Sequence, residues 1–219
     1  MIFEKYFHGR FTALLFCIFC YLFIAPLLQN FPGISILMSI FITAILISGI
    51  YSVSQRKHVA VFAVSLALPM VISLWVNEFV PKPFLVIAGD FFGILFMTYL
   101  VVLILSTVMK AKEVTPDVIY GAIIVYLFIG IIWAFLFRIL MNLQPGAFTI
   151  QPTGFQESRS LFSYFSFVTL TTLGYGDISP LSAIARSFTY LEAVIGQIYL
   201  TVLVARLVGI HISQSLEKK

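Results

Sequence analysis

Charge is scarce in this chain: 10% of its 219 residues are Asp, Glu, Lys or Arg, where soluble globular domains carry roughly 25%. That shortage excludes an ordinary water-soluble domain, and a hydrophobic content of 61% places the chain in a bilayer. The 13 Lys and Arg exceed the 9 acids, but they are scattered in twos rather than clustered, so the excess reads as membrane topology and no nucleic acid partner is expected. No Ser/His/Asp or metal-ligand spacing occurs. His8, His58 and His211 stand alone near the ends of apolar runs, as interfacial residues, with pH sensing a minor option. Cysteine is nearly absent too. Cys17 and Cys20 have the spacing of a redox pair, but inside an apolar run and without a soluble βαβ context they read as packing residues. The chain is therefore not expected to be an enzyme.

Long apolar runs are what the sequence does have: Phe11 to Leu28, Ile34 to Val53, Val59 to Val76, Phe84 to Met109, Val118 to Met141 and Leu181 to Ile210. Each is near the 20 residues or so that a helix needs to cross a bilayer, which predicts six spans. The first has basic residues ahead of it, as a signal peptide does, but Gln29-Asn30-Phe31-Pro32-Gly33 offers no small-residue cleavage pattern, and a retained span is expected. Breakers at Pro32-Gly33, Pro81-Lys82-Pro83, Pro116 and Pro145-Gly146 separate the runs. Pro26 and Pro69 lie within or near spans, where membrane helices tolerate them. Lys5 and Arg10, Arg56 and Lys57, Lys110 and Lys112, and Lys218 and Lys219 fall on one side of a six-span chain, against Lys82 and Arg159 on the other. By the positive-inside rule both termini are expected in the cytoplasm.

Between the fifth and sixth runs, Asn142 to Pro180 is neither a short loop nor a span. Gln144 to Arg159 is polar with Pro and Gly, and reads as an exposed outer turret. Ser160 to Thr171 is apolar and aromatic, and as a helix it would extend about 18 Å, too short for a hydrocarbon core about 30 Å thick. It is predicted to enter the membrane, stop and return. Its C-terminal end, partially negative, would then favour a cation near the bilayer centre. Next comes Thr171-Thr172-Leu173-Gly174-Tyr175-Gly176-Asp177. Glycine accepts positive φ at little cost, so Gly174 and Gly176 allow a backbone of alternating hand with its carbonyls on one side.

This run resembles the selectivity filter of potassium channels, with Leu173 where Val or Ile is usual, and the resemblance covers roughly Asp117 to Ile210. It implies an all-α integral membrane protein with six transmembrane helices, a re-entrant pore helix and a selectivity-filter loop, in voltage-gated-like ion channel architecture. Residues 1–112 would form a four-helix membrane domain, and 113–219 a pore domain with outer helix 118–141, pore helix 160–171, filter 172–176 and inner helix 181–210. By the resemblance the K+ ligands are the carbonyls of Thr172, Leu173, Gly174 and Tyr175 with the Thr172 hydroxyl, while Gly176 and Asp177 support them. Tyr175 would point away from the ion path and pack against the short helix. Tyr164 occupies the place of an aromatic that bonds the Asp177 carboxylate, and Val168 that of a carboxylate in some bacterial relatives, which makes filter inactivation through a carboxylate pair unexpected.

Gly196, nineteen residues after Asp177, matches the family's hinge glycine; a small residue for close packing is the equal alternative. No Pro-Xaa-Pro bend follows, so a cytoplasmic gate would form around Tyr199 to Leu207. Glu192 and Arg138 are ionisable residues inside apolar runs, where an unpaired charge costs several kcal/mol. A structural ion pair of Glu192 with Arg138 or Arg186 is expected, and Arg206 is expected to snorkel to the cytoplasmic interface. Four spans ahead of a pore unit is the plan of voltage-gated channels. A voltage sensor, however, needs several bases at every third position, since one charge crossing 100 mV supplies about 2.3 kcal/mol. Between Lys82 and Lys110 there are none, and Asp90 is the one acid. Glu78 and Asp90 are open to roles as leftover partners, interface groups or ligand contacts.

These features predict passive K+ conduction by a homotetramer with little voltage dependence, in the plasma (prokaryotic inner) membrane, with membrane lipids as partners and no cofactor beyond the permeant K+. A transporter subunit is the alternative, but relatives of that kind carry four degenerate filter repeats in one chain, and this chain has one Gly-Tyr-Gly. A non-conducting membrane subunit is a third reading, against which the intact signature argues. With about nine residues after Ile210, gating is expected to arise within the membrane, from lipid, tension, pH, a separate partner, or nothing at all.

Overall fold

The computed structural model describes residues 10–24, 27–28, 33–54, 57–150 and 158–217. Expectations resting on Lys5, His8, Pro26, Pro32, Arg56, residues 151–157 of the turret, Lys218 and Lys219 lie outside the described residues, as do those on the side chains of Arg10 and Arg159.

The helices begin and end where backbone chemistry directs. α1 (Arg10–Phe19) runs into a π turn at Cys20–Ile24, and α2 (Ile34–Val53) starts after Gly33 at φ 90°. α3 spans Lys57–Phe79 and carries Pro69 inside it. α4 (Pro83–Lys110) and α5 (Pro116–Leu143) each start on a proline, whose missing N–H costs nothing in the first turn. The Thr115 hydroxyl caps α5 by accepting from Val118 N, and Asp117 complements the helix dipole there. α6 (Ser158–Leu170) is the short helix, and α7 (Ala183–Glu217) closes the chain.

Among the described residues five helices, α2 to α5 and α7, are long and apolar enough to cross a membrane. In the expected first span, Arg10 to Ile24 is helical over about 22 Å, and Leu28 N donates to the Ile24 carbonyl at 3.2 Å. α7 is longer than its apolar run: at 35 residues it is about 52 Å long and outlasts a core of about 30 Å.

Two cores share α5. One joins Leu14, Ile18, Ile42, Leu46, Phe96 and Leu100 of the first four helices to Ile124, Val125, Phe128 and Phe135. The other gathers Trp133, Phe137, Phe148, Phe162 and Phe165, the four phenylalanine rings meeting edge to face around the N-terminal half of α6. Part of the expected exposed turret belongs to this second core: Ala147 and Phe148 are buried. The cause is a two-stranded antiparallel ribbon in which β1 (Phe148–Ile150) pairs with β2 (Ile178–Pro180) in the register Phe148↔Pro180. Leu181 N also donates to the Ala147 carbonyl at 2.8 Å.

Candidate functional site

α6 ends in a Schellman motif that launches the signature. Leu173 N donates to the Val168 carbonyl at 2.9 Å and Thr172 N to the Thr169 carbonyl at 2.9 Å, so carbonyls left open by the last turn are taken by the chain that follows. The motif needs a left-handed residue at the position of Thr172, usually glycine. Thr172 holds it at φ 60°, the one non-glycine residue at positive φ among the described residues. A β-branched residue there is strained. Gly174 at φ 56° and Gly176 at φ 82° follow at every second position, so the strand alternates hand from Thr172 to Gly176. All of Thr171 to Gly176 is exposed within the single chain.

The far end of the strand is anchored. Tyr164 donates its hydroxyl to Asp177 Oδ2 at 2.6 Å, and Asp177 Oδ1 accepts from Ile178 N at 3.1 Å. Asp177 opens directly into β2, and the β1–β2 ribbon ties that exit to the end of α5. Arg186 Nε donates to the Pro180 carbonyl at 3.3 Å on the same rim.

Several site residues sit differently from the sequence reading. Tyr175 is 67% exposed within the single chain. Leu173 lines an apolar cavity of about 350 Å³ with Val168, Leu127, Met38 and Tyr21, behind the strand. The ion pair of Glu192 with Arg138 or Arg186 is corrected. Arg138 Nε donates to Asp90 Oδ2 at 2.6 Å and its Nη2 binds Oδ1, a bidentate buried pair between α5 and α4, with the guanidinium 5.4 Å from the Phe135 ring centroid. Glu192 is fully buried and meets the Ser166 hydroxyl instead. Gly196 is a contact point: a Cβ there would come within 2.5 Å of the Leu170 carbonyl oxygen. Arg206 reaches the carbonyls of Met109 and Ala111 at the end of α4, where a cation suits the helix dipole. Glu78 accepts from Ser39 at 2.7 Å.

The sequence reading missed Ser166 and Gly130. Both are small residues in otherwise bulky apolar stretches, the one signal that marks a close helix approach. A Cβ on Gly130 would lie 2.7 Å from the Phe167 ring, so its absence lets α6 settle on α5. No cluster of His, Cys, Asp and Glu able to hold a metal occurs among the described residues. What the site offers a cation is backbone carbonyls and the Thr172 hydroxyl, ligands suited to a hard monovalent ion.

Residues 122–212, from the first turns of α5 through α6 and the strand into α7, match the family model described as ion channel. Comparison with curated proteins and with solved structures finds no match.

Proposed function

We propose that this chain is the subunit of a potassium-selective channel that conducts K+ passively as a homotetramer. The observation that carries the reading is the alternating-handed strand at Thr172, Gly174 and Gly176 on the end of a 13-residue helix, within the stretch matched to ion channels. A strand of this kind turns successive carbonyls toward one axis, and four of them around that axis replace the water shell of a dehydrated cation. The ligands are then the carbonyls of Thr172, Leu173, Gly174 and Tyr175 and the Thr172 hydroxyl, with Asp177 and Tyr164 bracing the outer mouth. One chain supplies one strand, so a closed ring of four is needed. The expected membrane is the prokaryotic inner membrane, with both termini cytoplasmic.

Voltage contributes little in this reading. α4 carries no base before Lys110, and its acid, Asp90, is locked to α5 by Arg138. Purified protein in liposomes is expected to pass K+ far faster than Na+, with a conductance that lacks a steep sigmoid dependence on voltage. Equal K+ and Na+ flux would overturn the selectivity, and a steep voltage curve would overturn the gating claim. Gly174→Ala is expected to abolish the flux, because an alanine held at φ 56° costs roughly 1–2 kcal/mol in every subunit.

A further inference from the structure

Glu192 and Ser166 are fully buried within the chain. The Ser166 hydroxyl is 2.6 Å from the Gly130 carbonyl and within hydrogen-bond distance of Glu192 Oε1, so α5, α6 and α7 meet at one side chain. A serine hydroxyl has a single proton to give, and a carbonyl can only accept. With that proton on Gly130, the contact to Glu192 requires the carboxyl to be the donor. The arginines expected to pair with Glu192 bind elsewhere: Arg138 binds Asp90 and Arg186 the Pro180 carbonyl, while Arg206 binds carbonyls at the end of α4. Glu192 Oε2 is buried with no hydrogen-bond partner, a position far costlier for a charged oxygen than for the carbonyl of a neutral acid.

One turn further along both helices the contact repeats in another form. Gly196 sits four residues after Glu192, and Leu170 four after Ser166; the absent Cβ of Gly196 leaves room for the Leu170 carbonyl. The two helices therefore touch at two successive rungs. Leu170 is the last residue of α6, and Thr171 and Thr172 follow it directly.

We propose that Glu192 is a positioning residue for the filter: as a neutral acid with its proton on Oε1 it donates to Ser166, which donates to Gly130, and this relay fixes the pore helix to the inner and outer helices. A shift of α7 is then transmitted to the first residues of the filter strand. The inference rests on the channel reading above.

Two measurements on the full-length protein test it. At neutral pH the infrared spectrum of the wild type is expected to show the carbonyl stretch of a protonated carboxyl that Glu192→Gln removes; a spectrum without that difference overturns the relay. In liposomes, Glu192→Gln, whose amide still donates, is expected to keep K+ flux and K+/Na+ selectivity within about twofold of wild type. Glu192→Leu and Ser166→Ala are each expected to lower the selectivity about fivefold, and the double variant no further than the worse single. A selective Glu192→Leu, or a Glu192→Gln as impaired as Glu192→Leu, overturns the positioning role. A wild type that carries no K+ overturns the channel reading and the filter role with it, whereas a conducting wild type indifferent to Glu192→Leu overturns the positioning role alone.

Discussion

Arg138 shows how much depends on one partner. Its guanidinium and the Asp90 carboxylate are both almost fully shielded, with side-chain exposures of 7% and 3%. Two charges so placed gain little over a well-packed apolar pair, but removing one partner is severe because the other stays behind. Asp90→Asn is therefore expected to destabilise the protein by about 3–5 kcal/mol per subunit, measured as earlier thermal unfolding in detergent. The double variant Asp90→Leu with Arg138→Leu is expected to recover most of that loss. An Asp90→Asn protein as heat-resistant as wild type would show that the pair does not hold α4 to α5. The sequence exposed both charges as anomalies in apolar runs, yet it could not pair them. α4 and α5 are apolar on every side, so periodicity marks no inward face, and which residues meet depends on the rotation of each helix about its axis. Glu192 was drawn toward an arginine for the same reason, when the group it reaches is a serine hydroxyl.

At the scale of elements, the sequence marked most boundaries because specific chemistry does: Pro83 and Pro116 open α4 and α5, and the observed α2 matches the apolar run Ile34 to Val53 residue for residue. α6 begins two residues earlier and ends one earlier than the short helix expected at 160–171. The β1–β2 ribbon was not legible, since Phe148-Thr149-Ile150 is too short for a periodic signal and gains its partner from beyond the Thr171–Asp177 run. The cap of α6 was legible only in part. The glycines announce positive φ, whereas Thr172 in a left-handed conformation contradicts its own propensity. Such strain, of order 1–3 kcal/mol, persists where function or surrounding structure demands it. Thr172→Gly removes both the strain and the hydroxyl, and Thr172→Ser removes only the β-branch. In melting experiments without K+, Thr172→Gly is expected to be at least as stable as wild type. With K+ added, wild type and Thr172→Ser are expected to gain stability and Thr172→Gly to gain much less, because ligand binding to the native state raises stability through its affinity. A Thr172→Gly protein that melts earlier than wild type without K+ would refute the strain, and one that responds fully to K+ would refute the hydroxyl as a ligand.

For the whole molecule, the proposed channel rests on the exposed strand after α6. Thr171 to Gly176 is exposed backbone in a segment flanked by spans, and irregular backbone at membrane depth persists only where protein buries it or it lines a wet path. The bare apolar length of α7, with Tyr190, Val194, Ile198 and Val202 uncovered, is by itself no argument, because lipid solvates such residues as well as protein does. The strand is what supports the proposed tetramer. In the proposed tetramer a separate matter is whether the first four helices pack on α5 to α7 of their own chain or of the next one. Five residues, 111–115, join α4 to α5, and so short a connection makes the two helices antiparallel neighbours in one chain. The Asp90–Arg138 pair and the contact of Gly93 with Phe135 both follow from that packing. In a protein with Cys17 and Cys20 replaced by serine, Asp90→Cys with Arg138→Cys is expected to be joined by a short bis-maleimide reagent into a product that runs as a monomer on a denaturing gel. A ladder of dimers and higher species from the double-cysteine protein would place α4 against the α5 of a neighbouring subunit, and the five-residue connection would then have to extend away from its own pore unit instead of turning back along it.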